Sequence, residues 1–166
     1  MPKLDVSDLS VQYRTTYGDV HALEDIEFTL EENESIGIAG ESACGKSTLG
    51  LSIIRMVQGG NIVSGKIMFN GQSLLDMTNP KFDENIRWKK ISMVFQGAMN
   101  SLDPVFTVRQ QFDEILKQHK FKGNSDKIIL DAIHSVNLEA IILKKYPHEL
   151  SGGMKQRVII AMALLL

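Results

Sequence analysis

The spacing of apolar residues changes along the chain from a strand pattern to a helix pattern. Leu4 and Val6, then Leu9 and Val11, alternate as strand residues. Ile26, Phe28 and Leu30 alternate again, and Glu31-Glu32-Asn33-Glu34 makes a turn. Two continuous apolar runs, Ser35-Ile36-Gly37-Ile38-Ala39 and Ile91-Ser92-Met93-Val94-Phe95, read as buried strands, with Gln96 ending the second. Between them, residues 49–55 read as helix, and Gly59-Gly60-Asn61 breaks the chain. Lys66-Ile67-Met68-Phe69 reads as a short strand between Gly65 and Gly71. Farther on, Val108, Phe112, Ile115 and Leu116 fall on one helical face. So do Ile128, Ile129, Ala132, Ile133 and Val136, behind a cap at Ser125. Pro147 closes a further helical stretch. The prediction is an α/β chain in which a mainly helical segment, residues 97–150, follows strand-bearing sequence.

Composition adds limits. A chain of 166 residues has about the length of one domain, and 43% apolar with 23% charged residues is ordinary for a globular protein. The net charge of −2 with no basic block does not favour nucleic acid as a partner. A single cysteine excludes a disulfide within the chain and fits a reducing setting. Met1-Pro2-Lys3-Leu4-Asp5 lacks the apolar core of a signal peptide. The longest apolar run, Val158 to Leu166, is well short of the ~20 residues that span a bilayer. The chain stops inside that run without a cap or polar exit, which reads as truncation.

The strongest chemical signal is Gly40-Glu41-Ser42-Ala43-Cys44-Gly45-Lys46-Ser47-Thr48, which fits the phosphate-binding pattern G-x-x-x-x-G-K-[ST] between an expected strand and an expected helix. Glycines at 40 and 45 let phosphate approach the backbone. The loop N–H groups and the first turn of the helix form an anion cradle. Lys46 supplies a mobile charge for the β- and γ-phosphates, and the Ser47 hydroxyl is placed for Mg²⁺. The competing reading is a chance match in a glycine-rich turn, and the flanks disfavour it.

A second signal is Leu150-Ser151-Gly152-Gly153-Met154-Lys155-Gln156-Arg157, where Ser151 is a natural N-cap and two glycines open an apolar helix. Alone this is a plain helix start. Taken with the phosphate loop and with Gln96 at the end of an apolar run, it resembles the ATP-binding cassette (ABC) ATPases: the phosphate loop is similar to their Walker A, LSGGMKQR to their signature motif, and Gln96 to their Q-loop glutamine. The resemblance covers nearly the whole chain. More narrowly, Phe95-Gln96-Gly97-Ala98-Met99-Asn100-Ser101-Leu102-Asp103-Pro104-Val105-Phe106-Thr107-Val108 is similar to the oligopeptide/dipeptide importer ATPases, as are Gly18-Asp19-Val20-His21-Ala22-Leu23 and the signature stretch. Asp103 replaces that family's usual Asn, Ala43 a common glycine, and Cys44 a common serine.

The resemblance implies an α/β P-loop NTPase core with an N-terminal antiparallel β part and a helical insert, incomplete at its C-terminus. The implied divisions are 1–96 for the nucleotide-binding core, 97–150 for the helical subdomain and 151–166 for the signature helix. The implied cofactors are ATP and Mg²⁺. Adenine would stack on Tyr13, with Tyr17 as second choice, against the plainer reading of Tyr13 as a half-buried sheet residue. Gly40, Glu41, Ser42, Ala43, Cys44, Gly45, Lys46, Ser47 and Thr48 would hold the phosphates. Gln96 would contact Mg²⁺ and the attacking water, and would report nucleotide state to membrane subunits through the segment that follows. Ser151, Gly152, Gly153 and Gln156 would face the nucleotide of an opposite ATPase subunit, identical or related.

The implied partners are membrane-spanning permease subunits and, indirectly, an extracytoplasmic binding protein, with the ATPase at the cytoplasmic face of the membrane. The family's Walker B Asp, catalytic Glu and switch His would lie beyond Leu166, so no general base is assigned and the 166 residues alone are expected to be poorly stable and inactive. The leading reading is the ATPase subunit of a peptide importer. The alternatives are a non-hydrolytic nucleotide-binding fragment, a nickel-type importer of the same family, and a soluble cassette ATPase of DNA repair or translation. The last is disfavoured by residues 96–108. Cys44, inside the phosphate loop, is a candidate reactive thiol or an inert small side chain. His21, His119, His134 and His148 show no metal-ligand spacing.

Overall fold

A computed structural model describes residues 3–166, so Met1 and Pro2 of the N-terminal stretch lie outside the described residues. The chain divides into two compact units, one ending at Asp83 and one running Glu84–Leu166, which places Gln96 in the second.

The first unit is built on an antiparallel sheet in the order β2-β1-β3-β4, with β1 at Leu4–Thr15, β2 at Gly18–Leu30, β3 at Gly60–Phe69 and β4 at Gln72–Ser73. The alternation that predicted β1 is met: Leu4, Val6, Leu9 and Val11 are all buried. The uneven step from Val6 to Leu9 has a structural cause. Ladder register shifts between those residues on both sides of β1, and Asp8 takes a left-handed φ of 52°. A bulge here keeps both apolar pairs on one face. Gly65, expected to bound a short strand, lies inside the longer β3 with φ 96°, where an added Cβ would sit 2.5 Å from the Asp8 carbonyl oxygen. The close approach of β1 and β3 at the bulge requires glycine there.

Two expectations are overturned. Residues 35–39 are not a buried strand: they are irregular, and Ile36 and Ile38 are exposed. Residues 91–95 are not one either. Ile91 makes an isolated parallel bridge with Arg87, and Val94 and Phe95 are exposed. An apolar run becomes a strand only when a neighbouring strand accepts its backbone hydrogen bonds. Among the described residues no ladder takes up 35–39, and only Ile91 of the second run is bridged.

Helix α1 spans Lys46–Ile53 and α2 spans Asn79–Asn85. In the first unit Arg55 ties the segment after α1 to a later loop, donating to Leu74 O (3.1 Å), Met77 O (2.7 Å) and Asn79 Oδ1 (2.8 Å).

The second unit is helical, as the 3.6-residue period predicts. Helices α3 (Val108–Gln118), α4 (Ser125–Ser135) and α5 (Gly152–Ala163) enclose a core that includes Phe112, Ile129, Ile133, Val158 and Ala161. Thr107 caps α3 through a capping box with Gln110. The cap of α4 is Asn124 rather than Ser125: Asn124 Oδ1 accepts from Lys127 N at 3.0 Å, and Ser125 is the first helical residue. Pro147 does not close a helix. It opens the 3₁₀ turn Pro147–Glu149, where its missing N–H costs nothing, after the separate 3₁₀ turn Ala140–Lys144. No helix among the described residues is long and apolar enough to cross a membrane.

Candidate functional site

The phosphate-type loop leads directly into α1. Gly45 is the N-cap, with a left-handed φ of 96°, and Ala43 also has positive φ, 65°. An added Cβ at Gly45 would lie 2.4 Å from the Ala22 carbonyl oxygen and 2.9 Å from Leu23 Cδ2. The loop is thus seated on Ala22 and Leu23 of β2, and only glycine fits the seat. An added Cβ at Gly40 would meet Cys44 Sγ at 2.7 Å. No side-chain group caps α1, and the first N–H groups of a helix lack intrahelical acceptors. Those N–H groups, and the positive end of the helix, are left to an anion.

Lys46 folds back over this loop. Its Nζ donates to Gly40 O at 2.7 Å, to Glu41 O, and to Cys44 Sγ at 3.3 Å. A lysine bonded only to exposed loop carbonyls and a thiol can exchange them for phosphate oxygens without leaving a buried group unpaired. Ser47, in the first turn, is exposed. The set of an ammonium, a hydroxyl, glycine-lined backbone and an uncapped helix start fits a nucleotide's phosphates with their magnesium. The Cys44 thiol is exposed, and its pKa lies below the ordinary thiol value, chiefly through the hydrogen bond from Lys46.

Tyr13 lies in β1 opposite Val20 of β2 and Gly60 of β3. Its ring leans over Gly60, where an added Cβ would be 2.8 Å from Tyr13 Cε1. Along β2, Val20 is close to the Ala22 that seats Gly45, so the sheet carries the tyrosine and the loop on neighbouring stretches of one strand pair. Tyr17, the second choice, sits in the β1–β2 turn and is fully exposed.

Gln96, Ser151, Gly152, Gly153 and Gln156 belong to the second unit, and all are exposed. Gln96 precedes the 3₁₀ turn Ala98–Asn100, which packs against α5. Ser151 caps α5 as predicted, its Oγ accepting from Met154 N at 3.3 Å. An added Cβ at Gly153 would meet nothing within 4 Å, and at Gly152 only Met99 Sδ at 3.5 Å. The start of α5 is therefore open. The structure brings Gly40–Thr48 together as one loop and brings the turn after Gln96 to α5. Among the described residues no cluster of His, Cys, Asp or Glu is arranged to hold a metal by itself.

Sequence reading missed Gln111. This α3 residue is buried, and its side-chain amide bonds the backbone of residues 103 and 106. A polar residue inside the apolar stripe Val108–Phe112 was the only available signal.

Comparison with known proteins gives concordant findings. The family model described as ABC transporter matches residues 23–166. The chain is 39% identical to the oligopeptide transport ATP-binding protein OppD of Salmonella typhimurium, over 98% of this chain and 49% of that protein. It is 36% identical to the protein of the same name from Bacillus subtilis, over 97% and 46%. The chain thus spans about half the length of the curated relatives it matches. Among solved structures, it is similar to dimeric MJ0796, a bacterial ABC transporter cassette, with TM-score 0.82 and 26% identity over 98% of this chain and 69% of that one. It is also similar to cbiO1 from Clostridium perfringens, part of the ABC transporter complex cbiONQ, with TM-score 0.71 and 26% identity over 99% and 61%.

Proposed function

The chain belongs to the ABC transporter family, and from that premise we propose that it is the nucleotide-binding part of the ATP-hydrolysing subunit of a peptide importer. The observation that carries the proposal is the phosphate loop: left-handed Ala43 and Gly45, an uncapped α1, and Lys46 poised over the loop carbonyls. Peptide as the cargo is supported by the relatives named oligopeptide transport ATP-binding protein.

In this reading Gly40–Thr48 cradles the β- and γ-phosphates, and Lys46 turns from Gly40 O and Glu41 O to phosphate oxygen. Ser47 would hold Mg²⁺, which when bound neutralises phosphate charge. Tyr13 offers a ring for adenine. The open start of α5, at Ser151, Gly152 and Gly153 with Gln156 on the next turn, offers N–H groups to the γ-phosphate carried by a second ATPase subunit, as the positive end of a helix favours. Two such subunits would act with membrane-spanning permease subunits at the cytoplasmic face, and residues 97–108 would carry the nucleotide state to them.

The test is peptide uptake into vesicles holding the full-length protein and its membrane partners. Uptake should require hydrolysable ATP and stop in Lys46→Ala. Uptake that persists without ATP or in the variant contradicts the proposal.

A further inference from the structure

We propose that Arg55 is a positioning residue for nucleotide binding: it ties the C-terminal end of α1 to the sheet, so that the open N-terminal end is held on the phosphates. The proposal deepens the reading above, in which Gly40–Thr48 holds a nucleotide's phosphates, and rests on it.

The backbone closes α1 with a common turn built on an uncommon residue. Arg55 N donates to Ser52 O at 3.1 Å and Met56 N to Leu51 O at 2.8 Å, the paired bonds of a Schellman turn. That turn needs a left-handed residue, and glycine fills it without strain. Here Arg55 fills it, at φ 56°. A β-carbon in that region costs free energy, and such strain persists where the surroundings hold it in place.

The guanidinium does the holding. Nη1 donates to Leu74 O at 3.1 Å and to Met77 O at 2.7 Å, and Nη2 donates to Asn79 Oδ1 at 2.8 Å. Its central carbon lies 5.0 Å from the centre of the Phe82 ring. These partners are themselves fixed. Leu74 and Phe82 are buried, and Leu74 N donates to Ile67 O of β3 at 2.8 Å. A planar fork of donors suits several acceptors and a ring at once, which a lysine ammonium does not.

Helix α1 is therefore held at two places on one sheet. Gly45 sits against Ala22 and Leu23 of β2, and Arg55 reaches β3 through Leu74. Seating at Gly45 alone would let the helix pivot there, and its first N–H groups, which point along the axis, would swing with it. The eight residues of α1 make it about 12 Å long. A shift of about 2 Å at Arg55 turns the axis by about 10° over that length, the edge of the angular range within which binding groups must be held.

The test is Mg·ATP binding to the full-length protein and two variants, with circular dichroism to verify folding. Arg55→Gly removes the guanidinium and suits the left-handed turn. Arg55→Lys keeps a positive charge at the C-terminal end of the helix but cannot span all three acceptors. We expect Mg·ATP affinity lowered about fivefold or more in both, the low end of coupling between linked sites. Amide exchange at residues 46–49 under saturating Mg·ATP should be faster than in wild type. Wild-type affinity in folded Arg55→Gly would overturn the proposal, since a merely structural role lowers the denaturant midpoint and not the affinity of the folded protein. Lowered affinity with unchanged exchange at 46–49 would overturn it too. So would wild-type affinity in Arg55→Lys, which would assign the effect to charge rather than to the tie. If Arg55→Gly does not fold, Arg55→Lys decides: lowered affinity with faster exchange supports the proposal, and unchanged affinity overturns it. Wild-type protein with no saturable Mg·ATP binding would instead remove the underlying reading, and the proposal with it.

Discussion

The seat of Gly45 on β2 makes the phosphate loop sensitive to a single methyl group. Its φ of 96° alone costs a residue with a β-carbon about 1–2 kcal/mol. The obstruction is backbone, Ala22 O at 2.4 Å, and cannot rotate away. Gly45→Ala should therefore lower the denaturant midpoint of the first unit and abolish saturable ATP binding. Gly153→Ala, with open space around its added Cβ, should leave the midpoint within error of wild type. Equal midpoints for the two variants would contradict this account. Cys44 gives a second prediction at this scale. The thiolate is the reactive form, and Lys46 holds the pKa below the ordinary value. Alkylation by iodoacetamide should reach its plateau rate at lower pH than for an unperturbed thiol. Mg·ATP should slow it by drawing Lys46 away and covering the loop. Unchanged labelling with saturating ATP, or full ATP binding after complete labelling, would refute the prediction.

At the scale of elements, what was legible in the sequence was whatever is decided locally. The faces of α3 and α4 follow from a period within one helix, and Ser151 caps α5 because its bond reaches only to Met154. The phosphate loop was legible because its pattern is contiguous. The runs at 35–39 and 91–95 were not, because apolar residues state a preference for burial but not the neighbour that supplies a ladder. Nor was the start of α4: Asn124 and Ser125 are both cap-forming types, and only the bond from Lys127 N decides between them. Gln111 was hidden because its partner Asp103 is eight residues back, outside helical or strand spacing.

The end of α3 carries a pH prediction. His119, the C-cap, lies 6.0 Å from the Trp88 ring, and its pKa is lowered first by burial and then by Lys89. A folded pKa below the unfolded 6.5 means that the unfolded chain binds more protons, so stability is present above pH 6.5 and is lost as pH falls from there through the folded pKa. His119→Gln should flatten this part of the acid loss, measured as the change in denaturant midpoint between pH 7.5 and about 5.5. An identical loss in both proteins would count against it.

For the whole molecule, the proposed site residues are divided between two units. The phosphate loop and Tyr13 belong to the sheet-bearing unit, and Gln96 with the start of α5 to the helical one. In the proposed reading, the first unit would offer a phosphate cradle and the second an open helix start. The central claim is that Gly40–Thr48 holds a nucleotide's phosphates and that Lys46 supplies the charge. The most direct measurement is equilibrium binding of Mg·ATP to the full-length protein and to Lys46→Ala, with circular dichroism to verify that both are folded. Saturable binding weakened about tenfold or more in the variant is the predicted result, since a hydrogen bond to a charged group is worth ~1.5–3 kcal/mol. Absence of saturable binding in the wild type, or equal affinity in the two proteins, would contradict the account.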